Sequence, residues 1–254
     1  MKSRSTITML GCCLGLALMA SSIFGSTLTR RSPPQTDDQT TLAKVALDEH
    51  EKSDIRMTAL KKLTDQALLG QVALEGNDSH LRSVAVSKLT DQAFLGKVAV
   101  EDKDGGIRVA ATRKLTDQYL LGQVATLDLR SDIRIVAARK LTDQTLLGEV
   151  AVGDKDEQIR SVAIRQLTDQ ALLGKVATRD SSSRLRFMAV RKLTDQSLLG
   201  TVAESDAYSS IRLYAIGKLT DPSILSTIAA SGAPDDIRKA AGARLDALRP
   251  GKQG

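Results

Sequence analysis

The sequence repeats itself at a fixed interval. KLTDQALLGQVA at residue 62 returns as KLTDQAFLGKVA at 88, KLTDQYLLGQVA at 114 and KLTDQTLLGEVA at 140. The Asp of the LTD triplet stands at Asp65, Asp91, Asp117, Asp143, Asp169, Asp195 and Asp221, each 26 residues after the last. A looser copy, TDDQTTLAKVA, carries Asp38. A second marker, an apolar residue followed by Arg, keeps the same step from Ile55-Arg56 to Ile237-Arg238. A constant period of this length restricts the chain to a stack of near-identical units. Only a neighbour of the same shape can cover the same apolar face at every step.

Each unit holds two helical patterns. In the first, helix A, Ile55, Thr58, Ala59 and Leu63 fall at i, i+3, i+4 and i+8 on one face, with Ser53 or Asp54 expected to cap its start. The second, helix B, opens at LTDQ. There Thr64 or Asp65 can accept from the free amides of the first turn, and Leu68, Leu69, Val72 and Ala73 form the apolar face. Gly70, Gly96, Gly122, Gly148, Gly174 and Gly200 sit inside helix B. Glycine there costs about 1 kcal/mol against alanine, and the repeated cost points to close approach of a neighbouring helix backbone. Helices of ten residues are marginal alone and need stacking to persist. The expected fold is therefore all-α, a solenoid of stacked antiparallel helix pairs. It would comprise a leading helix B near 37–48, seven A–B units and a closing helix A near 235–247.

Composition agrees with thin helical layers. Hydrophobic residues make up 42% and aromatics only 2%, with no Trp, so the core must be built from aliphatic side chains. The net charge of +6 gives mild attraction to anionic surfaces and is poor grounds for nucleic-acid binding. The missing stacking aromatics also argue against nucleic acid.

Residues 1–26 differ from the rest. Lys2 and Arg4 precede an uncharged, mostly apolar run from Ile7 to Phe24, followed by small residues. This is the layout of a secretory signal peptide, and the run is also just long enough for a retained N-terminal membrane anchor. Either reading places the protein outside the cytoplasm, periplasmic or extracellular, or anchored with the membrane touched only through this segment. Residues 27–36 read as a Pro-containing linker, 37–248 as the repeat array and 249–254 as a C-terminal tail. Cys12 and Cys13, the two cysteines, lie in the first segment, so the array has no disulfide, thiol nucleophile or cysteine metal site available to it.

An Asp six positions before the Arg of the apolar-Arg pair appears as Asp102 to Arg108, Asp128 to Arg134, Asp154 to Arg160, Asp180 to Arg186 and Asp206 to Arg212. His50, Gly76 and Gly232 take that place before Arg56, Arg82 and Arg238. With this signature the chain resembles the HEAT repeat family over residues 37–247. The units are shorter than usual there, and nearer the short HEAT-like repeats of bilin lyases and the leucine-rich variant repeats. The resemblance implies a right-handed solenoid that binds other macromolecules, with the five Asp and five Arg residues forming a ladder between layers.

Little in the sequence suggests catalysis. His50 and His80 fall in predicted inter-unit loops, and no HExxH, GxSxG or phosphate-binding glycine loop is present. The repeated LTD Asp is explained by capping, and the DKD of 154–156 lacks the oxygen-rich loop and closing Glu of a calcium site. No cofactor or metal is expected. Lys62, Lys88, Lys114, Lys140, Lys192 and Lys218 recur near the end of helix A and would make a basic stripe, either a solvated face or a track for an acidic partner. On the outward side of helix B, Tyr119 alone has the character of a binding hot spot. The sequence thus points to a non-enzymatic scaffold with a protein partner. A lyase-type enzyme subunit and a passive envelope spacer stand as alternatives.

Overall fold

A computed structural model describes residues 37–249, and within them sixteen α-helices and no strands. The segment read as signal or anchor, the linker before residue 37 and the tail from residue 250 lie outside the described residues. The B helices are α1 (Gln39–Leu47), α3 (Gln66–Glu75), α5 (Gln92–Glu101), α7 (Gln118–Leu127), α9 (Gln144–Gly153), α11 (Gln170–Arg179), α13 (Gln196–Ser205) and α15 (Pro222–Ala230). The A helices are α2 (Ser53–Lys62), α4 (Ser79–Lys88), α6 (Gly105–Lys114), α8 (Ser131–Lys140), α10 (Glu157–Gln166), α12 (Ser183–Lys192), α14 (Ser209–Lys218) and α16 (Asp235–Leu248).

The LTD triplet makes the sharp passage between helices. Its Leu, at the C-cap of helix A, is fully buried in every copy from Leu63 to Leu219. Its Asp is the N-cap of helix B: Asp65 Oδ1 accepts from the Leu68 amide at 3.0 Å, and Asp117, Asp143, Asp169 and Asp195 do the same in later layers. The A helices start differently. Asp78, Asp104 and Asp156 cap α4, α6 and α10. In α2 the cap position is Lys52 without a side-chain bond, so the expected cap Ser53 is already helical, and Asp54 accepts from the Ile55 amide inside the first turn.

Each B helix packs chiefly against the A helix that follows it, and only slightly against the one before. The compact hairpin is therefore B then A, and the LTD triplet is the crossover from one hairpin to the next. This corrects the phase expected from the sequence: the array is eight whole hairpins, α1–α2 through α15–α16, with no unpaired helix at either end of the described residues. Successive hairpins stack A on A and B on B. Between them runs one continuous core in which Leu69, Val72, Ala73, Ala85 and their counterparts are buried. A peptide covering only α7 and α8 contains the residues of one hairpin but has neither flanking layer to cover its two faces. Far-ultraviolet circular dichroism is expected to show it largely unfolded under conditions where the full array is helical.

The glycines of helix B also have an explanation other than the expected one. A Cβ built on Gly122 would lie 2.8 Å from Leu146 Cδ2, on Gly148 2.6 Å from Leu172 Cδ1, and on Gly70 against the Phe94 ring. What the glycine admits is a side chain from the next B helix, not its backbone. From α5 to α15 each B helix thus seats a Leu, Phe or Ile knob in the glycine socket of the B helix before it. The terminal hairpin departs from the rule: Ser226 stands at the socket position, Pro222 where the interior layers carry Gln, and Gly232 where five of the six interior layers carry the loop Asp.

Candidate functional site

Three polar ladders tie the layers together, and they account for most of the repeated charged residues. The first is made by the Arg and Asp residues of the HEAT-like signature. Arg134 Nε and Nη2 donate to Asp154 Oδ2 and Oδ1 at 2.8 and 3.1 Å. Arg82–Asp102, Arg108–Asp128, Arg160–Asp180 and Arg186–Asp206 repeat this two-pronged geometry. The carboxylate partner is 20 residues downstream, in the next layer. To the Asp six residues upstream each Arg donates only through Nη1 to the main-chain carbonyl, as Arg134 does to Asp128 at 2.9 Å. The ladder therefore gains Arg82, which has Gly76 at the upstream place. It loses Arg212, whose Nε donates to the Ala203 carbonyl at 3.0 Å. Each ladder Asp also accepts from the amide two residues on, which closes the loop leading into helix A. The neighbouring carboxylate raises the pKa of Arg82, Arg108, Arg134, Arg160 and Arg186 above the usual guanidinium value.

The second ladder belongs to the Gln of LTDQ and has no counterpart among the expectations from sequence. Gln118 Oε1 accepts from the Thr142 amide at 2.7 Å, the Thr142 hydroxyl at 3.2 Å and the Asp143 amide at 3.2 Å, while its Nε2 donates to the Thr116 and Lys140 carbonyls. One side chain so fastens its own crossover to the next. The threonines, expected as caps, are held in this way from Thr64 to Thr220. Gln118→Ala is expected to cost about 1–2 kcal/mol, read as a shift of the urea unfolding midpoint, because water must take over several main-chain groups at once.

The third ladder is the lysine row. Lys88 Nζ donates to the Leu60 and Lys61 carbonyls at 2.9 and 2.6 Å, Lys192 to Ile164 and Arg165 at 3.0 and 2.6 Å, and Lys218 to Val190 and Arg191 at 3.0 and 2.7 Å. Lys114 and Lys140 bind the ends of α4 and α6 in the same manner. Each lysine satisfies the open carbonyls at the C-terminus of the preceding A helix. In α10 a neutral Gln166 does the same, its Nε2 donating to the Ala138 carbonyl at 2.7 Å. The expected basic track of Lys88, Lys114, Lys140, Lys192 and Lys218 is thus a row of half-buried connectors. Lys62, in the first A helix, is exposed. The exposed positive charge on this edge is carried one residue earlier, by Lys61, Arg113, Arg139, Arg165 and Arg191.

Burial holds the pKa of the five connecting lysines below the ordinary lysine value. Between the lowered value and the ordinary 10.5 the unfolded chain binds more protons than the folded one. Stability therefore rises with pH across that window, and this contribution is lost as pH falls through the folded value. Lys114→Gln with Lys140→Gln places in two further layers the neutral donor that α10 already carries at Gln166, and it should flatten that rise in thermal unfolding. At neutral pH it should change stability by no more than about 0.5 kcal/mol per site.

Two surfaces remain. On the B side Tyr119 is 68% exposed, its hydroxyl accepting from Gln123 Nε2 at 3.1 Å, beside a shallow hollow floored by Ala93, Gly96 and Val100. On the A side an open groove between α12 and α14 is lined by Arg184, Phe187, Tyr208 and Tyr214. The Phe187 and Tyr214 rings meet edge to face at 4.9 Å, Arg186 lies 5.5 Å over the Tyr208 ring, and the exposed Leu213 adjoins. Half of the six Phe and Tyr residues of the chain meet in this groove. The signal was present in the sequence: Phe187 and Tyr214 are one period plus one residue apart, which puts them on facing sides of one A–A seam. Among the described residues no three His, Asp or Glu side chains converge as a metal site, and no helix is long and apolar enough to cross a membrane.

No family model matches the chain, and no curated protein matches it. Among solved structures, that of YibA from E. coli is similar over 82% of this chain and 92% of its own, at 16% identity and a TM-score of 0.39. A likeness at that level carries no functional information.

Proposed function

We propose that the chain is a non-catalytic, HEAT-like scaffold that binds a protein partner outside the cytoplasm. The observation that carries the reading is the aromatic groove of Phe187, Tyr208 and Tyr214. It gathers side chains of the type that dominate binding energy onto an otherwise aliphatic, ring-poor molecule. The reading is supported by what the polar residues are occupied with. Every buried side-chain nitrogen and oxygen among the described residues has a hydrogen-bond partner, and the repeated Arg, Asp, Gln and Lys are engaged between layers. The HEAT-like signature adds the expectation of macromolecular binding, and the signal-like first segment supports export.

Capture from the periplasmic or secreted fraction, comparing the wild type with Phe187→Ala/Tyr214→Ala, tests the binding. A discrete partner is expected with the wild type and a loss of at least tenfold with the double variant, about 1.4 kcal/mol or more. A partner captured equally by both would overturn the groove as its seat. N-terminal sequencing of the protein recovered outside the cytoplasm checks the export: a new terminus near residue 27 means cleavage, an intact one an anchor.

A further inference from the structure

The geometry points to the A-helix face of α6, α8, α10 and α12 as the seat of an extended acidic segment of the partner, with a carboxylate at every third residue. This rests on the scaffold reading above and specifies what that partner presents.

Arg113, Arg139, Arg165 and Arg191 are the penultimate residues of these four helices. All four are exposed, and unlike the ladder arginines they make no ion pair or side-chain hydrogen bond among the described residues. The four helices carry no Asp or Glu beyond their first turn. Four like charges in register on consecutive layers repel one another, and their own helices bring no carboxylate into the last turn to offset them. A row of carboxylates from outside would convert that repulsion into attraction.

Four residues before each arginine, hence on the same helix face, stand Val109, Ile135, Ser161 and Phe187. Val109, Ile135 and Phe187 are apolar and half-buried, Ser161 is buried with its hydroxyl donating to Met188 Sδ, and Phe187 carries the broken strip into the aromatic groove. A narrow, shallow apolar strip beside a row of cations suits an extended chain rather than a helix. The spacing agrees. Packed helices stand about 8–10 Å apart, and a polyproline II chain advances about 3.1 Å per residue with three residues per turn, which keeps every third side chain on one side. Three residues therefore span one layer, and acidic side chains at every third position meet successive arginines while the residues between them lie on the apolar strip.

The test uses the full array and a fluorescein-labelled peptide with glutamate at every third position and valine and proline between. Anisotropy is expected to show binding that weakens at high salt and falls at least about tenfold in Arg139→Glu/Arg165→Glu. Both sites are exposed and outside the ladders, and circular dichroism verifies that the variant is folded. Lys97→Glu/Lys175→Glu makes the same change in net charge on the exposed B side and should leave binding within about twofold. No binding to the wild type, equal losses in the two double variants, or equal affinity for a peptide with its glutamates bunched at one end would each overturn the inference. So would tighter, arginine-dependent binding to phosphatidylglycerol vesicles, which would make the row a membrane contact. A wild type that ignores the peptide yet captures a partner through Phe187 and Tyr214 refutes this inference alone. Loss of both refutes the scaffold reading as well.

Discussion

Asp154→Ala is expected to destabilise the array by about 3–5 kcal/mol, the cost of leaving a buried cation without its counter-charge. Arg134 and Asp154 side chains are only 4% and 5% exposed, so water cannot replace the lost carboxylate. The same carboxylate closes the loop before α10 by accepting from the Asp156 amide, which adds to the loss. Arg134→Met combined with Asp154→Ala should recover part of the stability, since no uncompensated guanidinium then remains. Urea unfolding followed by circular dichroism reads both. A loss below about 1 kcal/mol for Asp154→Ala would mean that the pair behaves as an exposed one.

Gly148→Ile is expected to cost about 3 kcal/mol, at the upper end of overpacking penalties. The added Cβ alone would lie within 2.7 Å of both Leu172 methyl carbons, and the larger side chain brings more atoms into the same socket. Leu172→Ala removes the knob and by itself costs about 2 kcal/mol. The two changes together should be milder than their sum by more than about 1 kcal/mol, because the new side chain occupies the space that the leucine vacates. Strict additivity would show that Gly148 and Leu172 do not share a socket.

The helices, their apolar faces and the capping Asp of LTD were legible in the sequence because each depends on neighbours within about one turn. What the sequence left ambiguous has one common cause. In a strictly periodic chain, Arg108 has an Asp six residues before it and another twenty after it, and the two separations together make one period. Spacing alone cannot say which Asp offers its carboxylate. Only the stacking geometry assigns the downstream side chain to Arg108 and the upstream carbonyl to the same guanidinium. The phase of the hairpin was hidden for the same reason, since A–B and B–A pairings have identical periodicity. The lysine row misleads in another way. A lysine at a helix C-terminus reads as a solvated cation, but Lys192 reaches carbonyls two helices back in the chain, a contact that no pattern within one helix reveals. The aromatic groove is readable from Phe187 and Tyr214, one residue off the period. Tyr119 masks it, because that residue sits on the period itself and stands out among small neighbours.

The altered last hairpin changes what its outer face can receive. Every interior layer offers the following one a glycine hollow and an amide oxygen for its crossover, and five of the six also offer an arginine for its carboxylate. A second molecule arriving at the far end would meet Ser226 in place of the hollow and Pro222 in place of the amide. Head-to-tail joining of identical units without rotation that closes yields open fibres. The last hairpin withholds the hollow and the amide that such joining requires, so its outer face does not reproduce the seam between interior layers.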